Sequence, residues 1–237
     1  MLQEQLGIKI KALQACLMER FSITPTYKKV WMAKQKAIAN LWGDWDESYA
    51  VLCKFMHATV TLNPGTFWHH EGEAHMKNGV LVQGVRQFKR MFCAYKPCID
   101  GFNHCKPVIY VDGTFLYGKY RSVLLTAEAV DGNNAILPLA FALVEKENKD
   151  NWAYFMTMLR VCCCEGRQDV CIISDRHIGI KHAMKQDNWC ANPYRYYLRH
   201  VLSNYNTKFK NGTVKNILDK SCPRVPENKV RSMDEHS

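Results

Sequence analysis

Two aspartates, Asp112 and Asp175, lie where a pair of carboxylates could act on a phosphate group. Each ends a short, mostly apolar run, and they are 63 positions apart in the chain (175 − 112 = 63). Two carboxylates held side by side repel one another unless a cation lies between them, and Mg²⁺ or Mn²⁺ suits such oxygen ligands. Two ions about 3.5 to 4 Å apart would activate a water or a DNA 3′-hydroxyl for in-line phosphoryl transfer. In the alternative interpretation, both aspartates only begin turns.

The elements that must position these aspartates are short β-branched and aliphatic runs separated by turn residues. Asp131-Gly132-Asn133-Asn134 is a strong tight-turn signal between two such runs. In chain order, the pattern predicts strands over residues 108–111, 122–130 and 135–144, a helix opening at Asp150 or Asn151, a buried strand over 170–173, and a helix from about 178 to 185.

This order is that of an α/β, ribonuclease H-like core: three antiparallel strands, a helix, a parallel strand and a helix. In such a core the first and fourth strands lie side by side and parallel. The two aspartates would then meet at one edge of the sheet, where open α/β sheets bind ligands. We predict this core, incomplete, over residues 101–210, with a polar and poorly ordered tail over residues 211–237.

A small helical module is predicted over residues 1–100. Apolar residues recur at helical spacing in three segments, each of which predicts a helix. The first is residues 1–20, the second lies between a cap at Thr26 and a stop at Gly43, and the third is residues 49–60. The same spacing predicts a helix over residues 85–92, with a basic outer face that we expect to be solvated. His69, His70 and His75 lie near Glu71 and Glu73 but lack a metal-ligand spacing, so we expect an exposed loop there.

Composition limits the class of protein. The net charge is +10, from 32 Lys and Arg against 22 Asp and Glu, which favours a polyanionic partner. The longest apolar run has ten residues, 135–144, well short of the roughly 20 that a membrane span needs. We therefore expect no membrane span, and because the first residues lack the basic and apolar regions of a secretory signal, we expect an intracellular protein. The eleven cysteines are scattered, and we expect them to be reduced and packed.

Three spaced segments resemble the signature of Mutator-like element (MULE) transposases, and the likeness extends over about residues 26–209. The matching residues are Cys105-Lys106-Pro107-Val108-Ile109-Tyr110-Val111-Asp112-Gly113-Thr114 with Gly118-Lys119-Tyr120; Asp131-Gly132-Asn133-Asn134 with Pro138-Leu139-Ala140-Phe141-Ala142, Glu147-Asn148 and Trp152; and Ile173-Ser174-Asp175-Arg176-His177 with Gly179-Ile180. The resemblance implies that Asp112 and Asp175 are the first two members of a DDE triad. It further implies cut-and-paste DNA transposition with Mg²⁺ or Mn²⁺, DNA and full-length transposase subunits as partners, and a nuclear location.

The sequence departs from that family pattern at two points. Tyr197 stands where the family has the Cys of a Cys-x-x-His motif that ends at His200, so a zinc site is not expected. The family's catalytic Glu lies beyond Ser237, and Glu227 and Glu235 are poor substitutes for it. Losing one of three carboxylates removes charge and geometry together. We therefore expect this chain to be inactive in strand transfer by itself.

Four basic or polar residues are candidates for contact with DNA. Lys119 and Arg121 follow the first aspartate, and His177 and Lys181 follow the second, although solvated ion pairs or simple exposure would explain them equally. A second function also fits the sequence: a domesticated, non-catalytic DNA-binding or regulatory protein derived from a transposase. Loss of metal-linked stability in an Asp112 variant would favour the first function, and metal-independent, salt-sensitive DNA binding would favour the second.

Overall fold

The computed structural model describes residues 7–116, 119–186, 189–198 and 200–203. The predicted tail over residues 211–237 lies outside this part of the chain. The chain divides into two compact units, Met1–Thr59 and Val60–Ser237.

The first unit is helical. Its helices are α1 Ile10–Phe21, α2 Tyr27–Trp42 and α3 Trp45–Leu62, the last of which runs three residues into the second unit. Thr26 caps α2, because its side chain accepts a hydrogen bond from the backbone N–H of Lys29 at 3.4 Å. Gly43 ends α2 with φ +85°, a conformation that favours glycine. The three helices predicted here are confirmed, with shifted ends.

Among the residues that the structure describes, a seven-stranded mixed sheet forms the centre of the second unit. Its strands are β1 Phe67–Lys77, β2 Val80–Ala94, β3 Cys105–Phe115, β4 Val123–Asp131, β5 Ile136–Val144, β6 Cys171–Ser174 and β7 Tyr194–Tyr196. They lie in the order β1-β2-β5-β4-β3-β6-β7. β6 is parallel to both β3 and β7, and the other neighbouring pairs are antiparallel. In the described part of this unit, the helices include α4 Lys96–Phe102, α5 Lys149–Cys163 and α6 Ile178–Ala183.

The β1–β2 hairpin corrects the sequence interpretation. The helix predicted over residues 85–92 is wrong, since these residues belong to β2, and the histidines expected in a loop lie in β1. Asn78 and Gly79 form the turn of the hairpin, with φ values of +52° and +80°. Register shifts after Glu71 and Ala74 break the two-residue alternation that would mark the strands. The apolar spacing of β2 therefore imitates a helix.

The core of the second unit lies under α5. Trp152, Phe155, Met156 and Leu159 share one face of this helix and are fully buried. Phe92 of β2 joins them, with its ring 5.7 Å from that of Phe155. These side chains cover one face of the sheet, which gives the strands a fixed platform.

The predicted order of three antiparallel strands, helix, parallel strand and helix is confirmed as β3, β4, β5, α5, β6 and α6. The molecule is thus a mixed α/β protein. Its classification as ribonuclease H-like, and the domain boundaries at residues 100 and 210, remain predictions. Within the described residues, no helix combines the length and apolar character needed to cross a membrane.

Candidate functional site

The register of two parallel strands places Asp112 and Asp175. The last registered residues of β3 and β6 are Tyr110 and Ile173, which are 63 positions apart in sequence. Asp112 and Asp175 follow them by two residues each, so they keep the same offset of 63. Asp112 is still within β3, whereas Asp175 directly follows β6. The two aspartates therefore lie at the same end of neighbouring strands, which are about 4.8 Å apart in a sheet.

Asp112 lies on the side of the sheet away from the core, and strand alternation predicts the same side for Asp175. Along β3, Val111 is buried and Asp112 is exposed; past the end of β6, the buried Ser174 precedes a half-buried Asp175. Side chains alternate between the two faces of a strand. Continued through Asp175, this alternation directs both carboxylates to the face opposite α5, where solvent ions can reach them.

Backbone N–H groups orient one oxygen of each carboxylate. Asp112 Oδ1 accepts a hydrogen bond from the N–H of Gly113 at 2.8 Å. Asp175 Oδ1 accepts one from the N–H of His177 at 2.9 Å. The carbonyl of Asp175 is also held, since the hydroxyl groups of Ser174 and Tyr194 donate to it at 2.6 and 3.3 Å. Asp175 is thus fixed through both its side chain and its main chain.

Glu128 is an acidic residue on the same face that sequence reasoning missed. It lies on β4 opposite Tyr110. Burial raises the pKa of its carboxyl above the ordinary value, and the negative charge of Asp112 raises it further. The sequence signal that could have identified Glu128 is that it is the single charged residue within the apolar run of β4. Glu128 makes this face more negative, but among the described residues no three His, Cys, Asp or Glu side chains are grouped to hold a metal ion.

A second set of polar contacts lies under the two strand ends, on the core side. Glu147 Oε1 accepts a hydrogen bond from Trp152 Nε1 at 3.0 Å and lies 3.6 Å from His177 Nδ1. Asn148 caps α5 through its side chain, which accepts from the N–H of Asn151 at 2.8 Å. The sequence motifs include Glu147, Trp152 and His177, but they do not indicate that these residues contact one another.

The four candidate DNA contacts lie in different settings. His177 caps α6, since its Nδ1 accepts a hydrogen bond from the N–H of Gly179 at 3.1 Å. Lys181 Nζ lies 5.5 Å from the centre of the Tyr196 ring. Lys119 Nζ lies 5.3 Å from the Tyr120 ring, and Arg121 lines a surface cavity of about 550 Å³. A role of these four residues in binding DNA stays a prediction.

Tyr197 and His200, the pair at the position of the family's Cys-x-x-His motif, are neighbours. Their ring centres are 5.6 Å apart. The ring of Tyr197 also lies 5.5 Å from that of Tyr110, which places this pair near the carboxylate face of β3. Aromatic packing of this kind stabilises the contacts of Tyr197 with Tyr110 and His200.

Comparison with known proteins identifies the segment that carries both aspartates. The model of the MULE transposase domain matches residues 108–204, which is less than half of the chain. The matched segment begins in β3 and includes β4, β5, α5, β6, α6 and β7. No curated protein matches the chain. The segment of residues 108–204, which carries both aspartates, is therefore similar to a MULE transposase domain.

Proposed function

We propose that this chain is a ribonuclease H-like transposase domain in which Asp112 and Asp175 bind Mg²⁺ or Mn²⁺ for chemistry on DNA strands. The single observation that carries the proposal is the offset of 63, which the two aspartates share with the registered residues of β3 and β6. Rigid neighbouring strands hold carboxylates at a separation that a cation can bridge. The proposed partner is DNA, and the proposed location is the nucleus.

The donor atoms fit a hard divalent cation. Asp112 and Asp175 offer carboxylate oxygens, which suit Mg²⁺ and Mn²⁺ better than zinc, whose protein sites favour nitrogen and sulfur. Burial raises the pKa of the nearby Glu128 carboxyl, and the negative charge of Asp112 raises it further. When bound, the ion would supply Lewis-acid activation of the attacking oxygen and stabilisation of the leaving oxygen.

The residues of this chain would orient the site. The N–H groups of Gly113 and His177 fix one oxygen of each aspartate, which reduces the entropy lost when a ligand binds. We propose that two aspartates bind a cation without completing strand transfer, because catalytic groups that act as a unit are strongly non-additive. Strand transfer would then need a further carboxylate or a full-length transposase subunit.

Manganese binding to the 237-residue chain tests this function. The affinity for Mn²⁺ is measured by electron paramagnetic resonance for the wild type, Asp112→Asn and Asp175→Asn. We expect each substitution to weaken binding by at least about tenfold. Asp100→Asn is the matched control, since Asp100 is an exposed carboxylate on α4 that pairs with Lys96. Unchanged affinity in both site variants would refute the proposed metal site.

Thermal unfolding without metal excludes a trivial loss of fold. Because Asp112 and Glu128 repel one another, Asp112→Asn should not lower the stability of the metal-free protein. Added Mn²⁺ should raise the unfolding temperature of the wild type and of Asp100→Asn more than that of either site variant. A variant that has lost both metal-free stability and metal binding is not evidence for a ligand role.

The second candidate function, non-catalytic DNA binding, is favoured by the net charge of +10. Duplex binding by fluorescence anisotropy, measured over a range of salt concentrations with EDTA and with Mn²⁺, separates the two functions. Each lost phosphate contact should reduce the salt slope by about 1, which can be tested in Lys119→Ala, Arg121→Ala and Lys181→Ala. A duplex affinity that changes neither on addition of Mn²⁺ nor in Asp112→Asn would support the second function.

A further inference from the structure

One carboxylate, that of Glu147, contacts elements at both strand ends of the proposed site. Its Oε1 accepts a hydrogen bond from Nε1 of Trp152 at 3.0 Å. Trp152 is fully buried in the core, while the Glu147 side chain is 17% exposed. A hydrogen bond to a fixed, buried donor holds a carboxylate in one place. Glu147 is therefore anchored to the core and not to the surface.

The end of β3 lies directly against this carboxylate. A Cβ atom added to Gly113 would lie 3.3 Å from Oε1 of Glu147 and 3.3 Å from Cδ2 of Leu125. These distances are shorter than most real Cβ contacts, so a side chain at position 113 would require Glu147 or Leu125 to shift by a few tenths of an ångström. The backbone of β3 next to Asp112 therefore lies close to the Glu147 carboxylate.

The turn after β6 lies against the same group. Nδ1 of His177 is 3.6 Å from Oε1 of Glu147, and the N–H of His177 donates to the side chain of Asp175. Gly179 allows this segment to pack closely against Trp152. A Cβ atom added at position 179 would lie 2.6 Å from Cδ1 of Trp152 and 3.0 Å from the carbonyl oxygen of Asn148. One oxygen atom is therefore close to both segments that carry the aspartates.

Glu147 lies on the wrong side of β3 to share a ligand with Asp112. The vacant side-chain direction of Gly113 faces Glu147, and the side chain of the preceding residue, Asp112, points to the opposite face. Its influence on the site must therefore pass through the backbone of β3 and through His177.

We propose that Glu147 is a positioning residue that sets the separation of Asp112 and Asp175 by fixing both strand ends against Trp152. This inference rests on the proposed function, since the separation matters because a cation bridges the two aspartates. Partners that orient metal ligands without touching the metal commonly alter metal affinity by about 10- to 100-fold.

Two substitutions at one position test the inference. Glu147→Ala removes the acceptor for Trp152, and we expect Mn²⁺ affinity to fall by about tenfold. Glu147→Gln keeps an oxygen acceptor of the same size, so we expect affinity within about twofold of the wild type and a similar fold stability. Glu145→Ala is the control, because it removes an exposed glutamate from the same loop.

Amide resonances provide a readout that does not need metal. In Glu147→Ala, the N–H signals of Gly113, His177 and Gly179 should move, and in Glu147→Gln they should stay near the wild-type positions. If the signals move while Mn²⁺ affinity remains unchanged, Glu147 is only structural and the inference is wrong. If the signals do not move, it is also wrong.

The same experiment separates this inference from the proposed function. Loss of Mn²⁺ binding in Asp112→Asn together with full binding in Glu147→Ala would refute the positioning role alone. A wild-type chain whose Mn²⁺ binding does not depend on Asp112 would refute the proposed function, and the positioning role would be refuted with it.

Discussion

Gly179 lies so close to Trp152 that a Cβ atom at position 179 would be 2.6 Å from Cδ1 of the indole ring. Real Cβ atoms essentially never approach another heavy atom this closely, and Trp152 is fully buried, so it has little room to move. The contact joins the turn after Asp175 to the core of the second unit.

Gly179→Ala should therefore destabilise the protein. We expect the free energy of unfolding in urea to fall by about 1 to 3 kcal/mol, the usual cost of overpacking a filled core. Gly132→Ala is the control, since no heavy atom lies within 4 Å of its added Cβ. Equal stability of the two variants would contradict the described contact.

Glu128 should make stability depend on pH. Burial, then the charge of Asp112, raises the pKa of its carboxyl above the ordinary 4.5 in the folded state. The folded state thus holds the proton more tightly, and its stability falls as pH rises from about 4.5 through the folded pKa. In metal-free buffer, Glu128→Gln should stabilise the protein at pH 7 and lose that advantage below pH 4.5.

Asp112→Asn should give a smaller gain at pH 7, because it removes only the second cause of the raised pKa of Glu128. Urea unfolding at several pH values measures both effects, and a carbon NMR titration of the Glu128 carboxyl measures the pKa itself. A stability difference between wild type and Glu128→Gln that is the same at every pH would contradict this assignment.

Arg90 should be a stabilising link between β1, β2 and α5. Its guanidinium donates two hydrogen bonds to Glu71, at 2.8 and 3.0 Å, and one to Asn151 Oδ1 at 3.2 Å. It also lies 4.1 Å from the centre of the Tyr154 ring. Arg90→Lys cannot reproduce the planar fork, so we expect a loss of about 1 to 3 kcal/mol in urea unfolding.

The neighbouring ion pair of Lys89 and Glu73 is the control for Arg90. Its side chains are 38% and 63% exposed, and pairs of this kind contribute little to stability. Lys89→Ala should therefore change the unfolding free energy much less than Arg90→Lys. The reverse order would show that Arg90 does not link the three elements.

Cysteine labelling should separate buried from exposed thiols. Burial raises the pKa of Cys93 to about 11 and that of Cys164 to about 12, so neither forms the reactive thiolate near neutral pH. Cys190 is exposed. Iodoacetamide at pH 8, followed by peptide mass spectrometry, should label Cys190 in the folded protein and the other two only in urea. Labelling of Cys93 in the folded protein as fast as Cys190 would contradict the burial of Cys93 in the core.

The position of the two aspartates could be predicted because it depends on local signals. Short apolar runs ending in Asp112 and Asp175 mark two strands, and the ribonuclease H-like order of the elements predicts that those strands are parallel neighbours. The structure adds the register, which sequence cannot supply, because pairing depends on contacts between residues 63 positions apart. Whether the pair binds a cation stays a prediction.

The β1–β2 hairpin could have been predicted from a signal that was overlooked. Asn-Gly is the strongest short-range hairpin signal, and Asn78-Gly79 forms this turn. The bulges near Glu71 and Ala74 hide the alternation, so the pattern of β2 fits a helix. By contrast, the contacts of Glu147 with Gly113 and His177 are tertiary, and residue types alone do not reveal them.

Pairing of β2 with β5 has a consequence for how this protein can be dissected. Residues 90–93 of β2 pair with β5, and Phe92 in this segment fills the core beside Phe155. This segment of β2 lies upstream of the matched residues 108–204. Excising the matched segment would uncover the hydrogen-bonding edge of β5 and leave a hole where Phe92 belongs, which invites aggregation. A recombinant fragment meant to stay monomeric should start before Phe67.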